Sequence, residues 1–114
     1  MEQRKYPRYN ITDSTKTFLS IDAKLRVKLI DLSKSGLAFQ FNPETQTSNF
    51  SYGSIINIQL KVPSENIDIE LLAEIRWIMY DTIGVEYKSI NNDKLAQIEK
   101  IIKLYGEEKT ELSF

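Results

Sequence analysis

Apolar and polar residues alternate along several short segments of the chain, which is the pattern of β-strands with one buried face. The clearest segment is 56–62, where Ile56, Ile58, Leu60 and Val62 alternate with polar side chains. Five other segments show the same alternation or a short apolar run and are predicted to be strands: 17–21, 23–31, 37–41, 67–79 and 83–87. Short strands at this spacing predict a small antiparallel barrel or sandwich.

The period of the apolar residues changes near the end of the chain. Leu95, Ile98 and Ile102 recur at helical spacing after a cap signal at 92–93. Gly106 is placed to end this helix. A single short amphipathic helix is marginal by itself, so we expect it to pack against one end of the barrel.

Both ends of the chain are polar. Residues 1–14 include Pro7 and several turn formers, which favours a flexible arm outside the core. Residues 107–114 are expected to form a solvated tail. The segment 15–106 then forms one domain, made of the barrel and its helix.

The composition restricts the chemistry of this domain. The chain has 114 residues with a formal net charge of -1, which does not favour broad contact with DNA or RNA. Histidine and cysteine are both absent. Their absence excludes disulfides, thiolate or imidazole metal ligands, a cysteine nucleophile and a histidine base. Carboxylate, lysine and tyrosine chemistry remains possible, but no nucleophile–base pair can be proposed from the sequence. We expect a binding module that is not an enzyme and uses no metal or cofactor.

The start of the chain is polar, with no sign of the apolar core of a signal peptide. No apolar run approaches the roughly 20 residues that a membrane-spanning helix needs. The sequence therefore predicts a cytoplasmic protein without membrane insertion.

Three basic residues cluster near the start of the chain: Arg4, Lys5 and Arg8. Two arginines four residues apart are, by themselves, more often solvated surface charges. Arginine can also pair bidentately with phosphate or with the O6/N7 edge of guanine. Since the chain as a whole is slightly acidic, this cluster is the obvious place for a local anion site.

A carboxylate, a hydroxyl and a glycine follow close together at Asp31, Ser33 and Gly36. Each has an ordinary alternative role, because Asp and Ser cap backbone groups in turns and glycine can supply a positive φ. A carboxylate can also accept hydrogen bonds from the N1–H and N2–H groups that distinguish guanine from adenine. The two clusters in this order therefore predict a site for an anionic ligand that carries guanine.

The pattern Arg-x-x-x-Arg at 4–8 followed by Asp-x-Ser-x-x-Gly at 31–36 resembles the signature of PilZ domains, the bacterial receptors for cyclic di-GMP. Four later segments resemble successive strands of that family: 36–39, 53–58, 73–77 and 83–87. The resemblance covers essentially the whole chain. It implies a mainly β fold, a six-stranded antiparallel β-barrel with one C-terminal α-helix, which agrees with the alternation.

The resemblance also implies a cyclic di-GMP site at six positions: Arg4, Lys5, Arg8, Asp31, Ser33 and Gly36. Arg4 and Arg8 would grip the phosphates and guanine edges and lie over guanine faces, with Lys5 adding charge. Asp31 would read a guanine edge. Ser33 would donate to the ligand or orient a neighbour, and Gly36 would allow a close backbone approach.

The resemblance leads to a hypothesis for signalling. The arm is expected to be mobile without ligand and to order when the phosphates draw the arginines toward the barrel, forming a surface for an unidentified protein partner.

One alternative is a PilZ-like interaction barrel that binds no nucleotide. Another is an oligonucleotide-binding barrel, which would need exposed aromatics among basic residues. The basic row Lys24, Arg26 and Lys28 has no aromatic row beside it in the sequence, so DNA and RNA are not expected partners.

Trp77 lies on the same side of the predicted strand 67–79 as Ala73 and Ile75. This position favours packing in the core over stacking against a ligand. We therefore expect Trp77 to be part of the core.

Overall fold

A closed barrel of six antiparallel strands lies at the centre of the computed structural model, which describes residues 6–44 and 50–108. Two short strands extend the sheet beside the barrel, and one α-helix packs near them. The strands are β1 (Tyr9–Ile11), β2 (Phe18–Ile21), β3 (Leu25–Leu32), β4 (Gly36–Gln40), β5 (Ile55–Val62), β6 (Ile67–Met79), β7 (Thr82–Tyr87) and β8 (Gly106–Glu108), and the helix is α1 (Asn92–Tyr105). A 3-10 turn, Pro63–Glu65, connects β5 to β6.

The barrel follows the strand order β2-β5-β6-β7-β4-β3 and closes through the pairing of β2 with β3. Every pairing is antiparallel, as expected for strands joined by short turns. The alternation seen in the sequence places one face of each strand inside. The largest fully buried side chains include Phe39, Leu29, Ile58, Ile69 and Ile75. The predicted fold class, a six-stranded barrel with a C-terminal helix, is confirmed.

Helix α1 begins with a side-chain cap, because Asn91 Oδ1 accepts a 2.9 Å hydrogen bond from the backbone N–H of Lys94. Its buried residues are Ile98 and Ile101, both 0% exposed. The sequence placed Leu95 and Ile102 in the buried face with Ile98, but both are only half-buried. The helix is therefore rotated so that Ile101 points at the barrel, an orientation that helical spacing alone does not determine.

Strand β1 joins the polar N-terminal segment to the folded domain. Tyr9 pairs with Leu32 of β3 on one side and with Glu108 of β8 on the other. The backbone N–H and Oγ1 of Thr12 both donate to the carbonyl of Tyr105, each at 2.9 Å. The structure thus places residues 9–12 in the folded unit, where the sequence predicted one arm over 1–14. Likewise Gly106–Glu108 is a strand, where the sequence predicted that a tail begins at residue 107.

Candidate functional site

Asp31 is turned from the core to the outer face of the barrel by an irregularity in β3. Leu29 pairs with Phe39, but the next pairs are Asp31 with Ala38 and Leu32 with Leu37, so Ile30 is an extra residue. Strict alternation would have put Asp31 on the same face as Leu29. The bulge re-aims the side chains beyond it, so Leu32 enters the core and Asp31 faces outward.

A second bulge, in β6, does the same for Trp77. Ile75 pairs with Val85, and the next pair is Trp77 with Gly84, so Arg76 is the extra residue. Trp77 therefore leaves the face of Ile75 and lies half-buried on the outer side of the sheet. The prediction that Trp77 packs in the core was wrong, because a bulge changes the face of every side chain beyond it.

The two bulges align their residues in one row across four strands. Asp31 pairs with Ala38, Ala38 pairs with Gly84, and Gly84 pairs with Trp77. We call these four residues the floor row. A carboxylate stands at one end and an indole at the other. The two central residues are small and buried, and the indole lies over Gly84. The row thus places Asp31 and Trp77 on the same outer face of the barrel.

Gly84 is required by the position of the indole. A Cβ on residue 84 would stand 2.0 Å from Nε1 of Trp77, a distance that no pair of non-bonded atoms tolerates. A glycine inside a strand is often the site of such a close approach. Gly84 opposite an aromatic residue is thus the signal by which sequence reasoning could have found this part of the site.

Arg8 reaches over the floor row from the start of β1. Its Nη1 lies 4.0 Å from Oδ2 of Asp31. Its guanidinium carbon lies 5.8 Å from the centre of the Trp77 ring, within the range of a cation–π contact. The side chain of Arg8 is 19% exposed and that of Asp31 is 4% exposed. The guanidinium therefore covers the carboxylate and connects the two ends of the floor row.

The turn between β3 and β4 is organised by Ser33. Its Oγ accepts hydrogen bonds from the backbone N–H groups of Ser35 and Gly36, each at 3.2 Å. Its own backbone N–H donates to the carbonyl of Gly36 at 2.9 Å. Ser33 is 5% exposed, so its described contacts fix the shape of the turn beside Asp31.

Gly36 lies close to the backbone of β7, which is part of the barrel. A Cβ on this residue would stand 2.1 Å from the carbonyl oxygen of Val85 in β7. Its φ is not in the positive region, so the alternative role considered for it, a positive φ, is wrong. Gly36 holds the turn against β7.

Tyr87 supports the same turn from inside the barrel. Its hydroxyl lies 3.0 Å from the carbonyl oxygen of Ser33 and 3.1 Å from that of Gly36, and donates toward them. Burial, and secondarily the negative charge of Asp31, raises the pKa of Tyr87 well above its usual value. The phenol therefore stays protonated and acts as a fixed donor beneath the site.

Asp31, Trp77 and Gly84 of the floor row line a cavity of about 560 Å³ together with Arg8 and the turn. We call it the β3–β4 cavity. This volume is within the roughly 300–1,000 Å³ of ordinary ligand pockets. Its charged lining residues are Arg8, Lys34, Arg76, Asp31 and Glu86. Three positive charges against two negative ones give the cavity a positive balance in a chain whose net charge is -1.

Two of these cations are held by carboxylates at the edge of the cavity. Arg76 Nη1 lies 2.9 Å from Oε2 of Glu74, and this hydrogen bond raises the pKa of Arg76. Lys34 Nζ lies 3.5 Å from Oε1 of Glu99 and 5.9 Å from the centre of the Tyr6 ring. Arg76 and Lys34 thus line the cavity while each is paired with a carboxylate outside its lining.

The structure brings together four of the six predicted site residues: Arg8, Asp31, Ser33 and Gly36. The predicted residues Arg4 and Lys5 lie outside the described residues. Sequence reasoning missed five further lining residues: Trp77, Gly84, Arg76, Lys34 and Glu86. Within the described ranges no group of acidic residues could hold a metal ion, and no helix there is both long and apolar enough to cross a bilayer.

Comparison with known proteins agrees with this architecture. The family model of the PilZ domain matches residues 2–104, so the chain belongs to the PilZ domain family. A search of the curated proteins found no match.

Several solved structures share the fold. The PilZ domain of YcgR from Escherichia coli, solved with c-di-GMP, is 15% identical with a TM-score of 0.71, and the match covers 91% of this chain and 92% of that one. The MrkH–c-di-GMP complex of K. pneumonia is 19% identical with a TM-score of 0.72, covering 90% and 52%. The inhibitor of motility MotI/DgrA of Bacillus subtilis is 19% identical with a TM-score of 0.70, covering 91% and 51%. This chain therefore spans about half the length of MotI and MrkH.

Proposed function

We propose that this domain is a receptor module for cyclic di-GMP, which binds in the β3–β4 cavity and alters the surface that a protein partner meets. The observation that carries the proposal is the position of Arg8, between the carboxylate of Asp31 and the indole of Trp77 in the lining of this cavity. Family membership supports it, since the similar YcgR and MrkH structures are complexes with c-di-GMP.

The cavity offers the groups that a cyclic dinucleotide of guanine needs. Guanidinium and ammonium groups of Arg8, Arg76 and Lys34 suit its two phosphates. Arg4 and Lys5 would add two further cations shortly before Arg8 in the sequence. The indole of Trp77 gives one guanine a surface for stacking. Phosphates, bases and their edges thus each have a matching partner.

The burial of Asp31 implies an exchange of partners on binding. Its carboxylate lies beneath the guanidinium of Arg8 and is nearly inaccessible. For Asp31 to accept hydrogen bonds from a guanine edge, Arg8 has to move from the carboxylate onto the ligand. The ion pair that Arg8 loses with Asp31 is replaced by a bidentate pair between Arg8 and a phosphate of the ligand. We infer that this exchange orders the segment before Tyr9 around the ligand and is the conformational step of the receptor.

The proposal includes no catalytic step and no cofactor. PilZ domains are receptor or effector modules, and the ordered segment with its bound nucleotide would present a new surface to a protein partner. We place this action in the cytoplasm, where the second messenger would be available.

Isothermal titration calorimetry with cyclic di-GMP tests the proposal, with cyclic di-AMP as the matched ligand. The native protein should give saturable heat with cyclic di-GMP and far weaker binding of cyclic di-AMP. Arg8→Ala should abolish most of the heat, whereas Arg26→Ala, an exposed arginine that does not line the β3–β4 cavity, should leave it unchanged. A folded native protein that gives no heat with cyclic di-GMP would overturn the proposal and favour an interaction barrel without nucleotide binding.

A further inference from the structure

A second and larger groove, of about 1,110 Å³, opens on another part of the barrel surface. It is lined mainly by residues of β2, β3 and β5 and by the loops at their ends, and it shares no lining residue with the β3–β4 cavity. We call it the Phe18 groove, because the ring of Phe18 lies in it and is 50% exposed. The proposed function makes no use of this groove.

An aromatic ring lies between two lysines in the Phe18 groove. Phe18 of β2 pairs directly with Lys61 of β5. On the other side Leu19 pairs with Val27 of β3, so Lys28 occupies the position beside Phe18. All three side chains are exposed on the outer face of the sheet. Because neighbouring strands are about 4.8 Å apart, the three residues stand side by side in one row across β3, β2 and β5.

The positive charges of the groove are largely uncompensated. Lys24, Lys28 and Lys61 form no ion pair with any residue that the structure describes. By contrast, Lys34, Lys88 and Lys100 elsewhere on the surface each lie within 3.5 Å of a glutamate oxygen. Three lysines in one groove without carboxylate partners among the described residues favour an occupant that is itself negatively charged.

Carboxylates are fewer in the groove than cations. Lys24, Arg26, Lys28 and Lys61 make four cations, against the two carboxylates of Asp81 and Glu44. Asp81 is already bound within the protein: it accepts hydrogen bonds from Gln40 Nε2 at 2.7 Å and from Thr82 Oγ1 at 3.1 Å. These contacts lower the pKa of Asp81, with the bond from Gln40 as the main cause.

Apolar surface borders the same groove. Strand β6 ends in Met79, which is 72% exposed, and the turn to β7 begins with Tyr80, which is 79% exposed and lines the groove. Tyr80 has a φ of 51°, in the left-handed region that a residue with a Cβ rarely adopts, so the backbone holds this ring at the rim at some cost. Tyrosine, phenylalanine and methionine are enriched at protein–protein interfaces, which indicates an occupant with an apolar side chain.

The shape and charge of the groove distinguish between three anionic occupants. A flat bilayer surface cannot enter a concave groove to reach Phe18. An oligonucleotide repeats its charge at every nucleotide, so its phosphates would meet Asp81 and Glu44 as well as the lysines. A peptide can place carboxylates opposite the lysines and neutral residues opposite Asp81 and Glu44. The volume also exceeds the roughly 300–1,000 Å³ of small-molecule pockets, which suits an extended segment.

We propose that the Phe18 groove binds an acidic peptide segment of a partner protein. An apolar side chain of that segment packs on the ring of Phe18, and its carboxylates pair with Lys28 and Lys61. This inference does not depend on nucleotide binding, so it is tested without cyclic di-GMP and its outcome is independent of the outcome of the calorimetry.

The probe is a synthetic acidic peptide of six residues, Ser-Glu-Phe-Glu-Ser-Gly, in which two carboxylates flank the phenylalanine and the other residues are neutral. It is titrated into ¹⁵N-labelled protein and followed by NMR. Saturable shifts are expected in the amides of Phe18, Lys28 and Lys61 and not in those that line the β3–β4 cavity. Replacement of the peptide phenylalanine by serine should weaken binding, because the contact with the ring is lost. Higher salt should weaken it as well, since the pairing is between exposed charges.

Matched variants locate the binding. Lys28→Glu should weaken the peptide at least about tenfold, since it replaces an attraction by a repulsion in the middle of the groove. Lys103→Glu makes the same charge change on α1, at an exposed lysine with no described ion pair, and should stay within about twofold of the native affinity. Phe18→Ser should weaken binding without any change of charge.

Three results would overturn the proposal. The first is the absence of saturable shifts at millimolar peptide with the native protein. The second is an equal loss of affinity in Lys28→Glu and Lys103→Glu, which would show only a general charge effect. The third is tighter binding of a thymidine oligonucleotide, or of phosphatidylglycerol vesicles, than of the peptide.

Discussion

Trp77 and Gly84 face each other across β6 and β7, and the indole occupies the space in which any side chain on residue 84 would stand. Gly84→Ala should therefore push the indole off the floor row and weaken cyclic di-GMP binding. Trp77 is the only tryptophan of the chain, so a shift of its fluorescence emission reports the displacement directly. Trp77→Ala should lose stacking worth roughly 1–3 kcal/mol without creating a clash. Native affinity in both variants would show that the indole is not part of the binding surface.

The geometry of Arg8 predicts that a positive charge at this position is not sufficient for the binding of cyclic di-GMP. Arg8→Ala should cost roughly 1–3 kcal/mol or more in binding, and Arg8→Lys should recover little of the loss, because an ammonium cannot reproduce the planar, bidentate guanidinium. Both variants should remain folded, since Arg8 precedes β1 and fills no core position. Calorimetry and thermal denaturation, with Arg26→Lys as the control, provide the measurements. Native affinity in Arg8→Lys would contradict this role.

Selectivity for guanine should depend on Asp31. Asp31→Asn keeps the shape of the side chain but replaces one acceptor with a donor, which opposes the N1–H and N2–H groups of guanine. The variant should bind cyclic di-GMP more weakly, and the difference between cyclic di-GMP and cyclic di-AMP should narrow. Competition calorimetry with the two nucleotides measures this. If the native protein binds both nucleotides with equal affinity, Asp31 does not recognise the edge of the guanine base.

The raised pKa of Tyr87 predicts a loss of stability at alkaline pH. The unfolded chain releases the phenolic proton near the ordinary value of 10.0, whereas the folded chain retains it. The unfolded state then binds fewer protons, so the contribution is fully present below about pH 10 and falls as the pH rises above it. Urea denaturation at about pH 9 and about pH 11 should show a smaller decline for Tyr87→Phe than for the native protein. Equal declines would mean that the phenol is not the group responsible.

Tryptic cleavage tests the ordering of the N-terminal segment. Bonds after Arg4, Lys5 and Arg8 are potential cleavage sites, and saturating cyclic di-GMP should slow their cleavage because the ligand holds these side chains. Cleavage after Arg26, within strand β3, should be slow with and without nucleotide. Mass spectrometry of timed digests identifies each product. Unchanged cleavage at the N-terminal sites, in a protein that calorimetry shows to bind, would contradict the ordering mechanism.

The sequence was sufficient for the barrel because alternation is a local property of each strand. Ile56 to Val62 is buried at every second position from the first residue to the last, as predicted. The bulges at Ile30 and Arg76 could not be predicted, because they depend on how β3 and β6 pair with their neighbours. Alternation carried past a bulge assigns the wrong face, and for this reason Trp77 was placed in the core.

The same reasoning explains which part of the site was found. Asp31, Ser33 and Gly36 are close in the sequence, so one turn brings them together. Arg8 joins them through the pairing of β1 with β3. Strand β1 has only three residues and lies between polar ones, so no local pattern in the sequence predicts this pairing. Trp77 and Gly84 come from a different hairpin, and only the pairing of β6 with β7 shows that they face each other. Strand β8 was missed because its three residues are too short and polar to show a period.

The pairing of Tyr9 with Glu108 brings the two ends of the folded unit to the same place. Paired residues of antiparallel strands have Cα atoms about 4.5–5.5 Å apart, so the first and last strands of the folded unit lie side by side. A unit with this geometry can be inserted into a loop of another protein with little strain at the junctions. Arg8 directly precedes Tyr9 and is therefore next to this pair of ends. In any such fusion, a ligand that moves Arg8 would act close to the junction. Binding of the nucleotide would then be transmitted to the joined protein at its point of attachment.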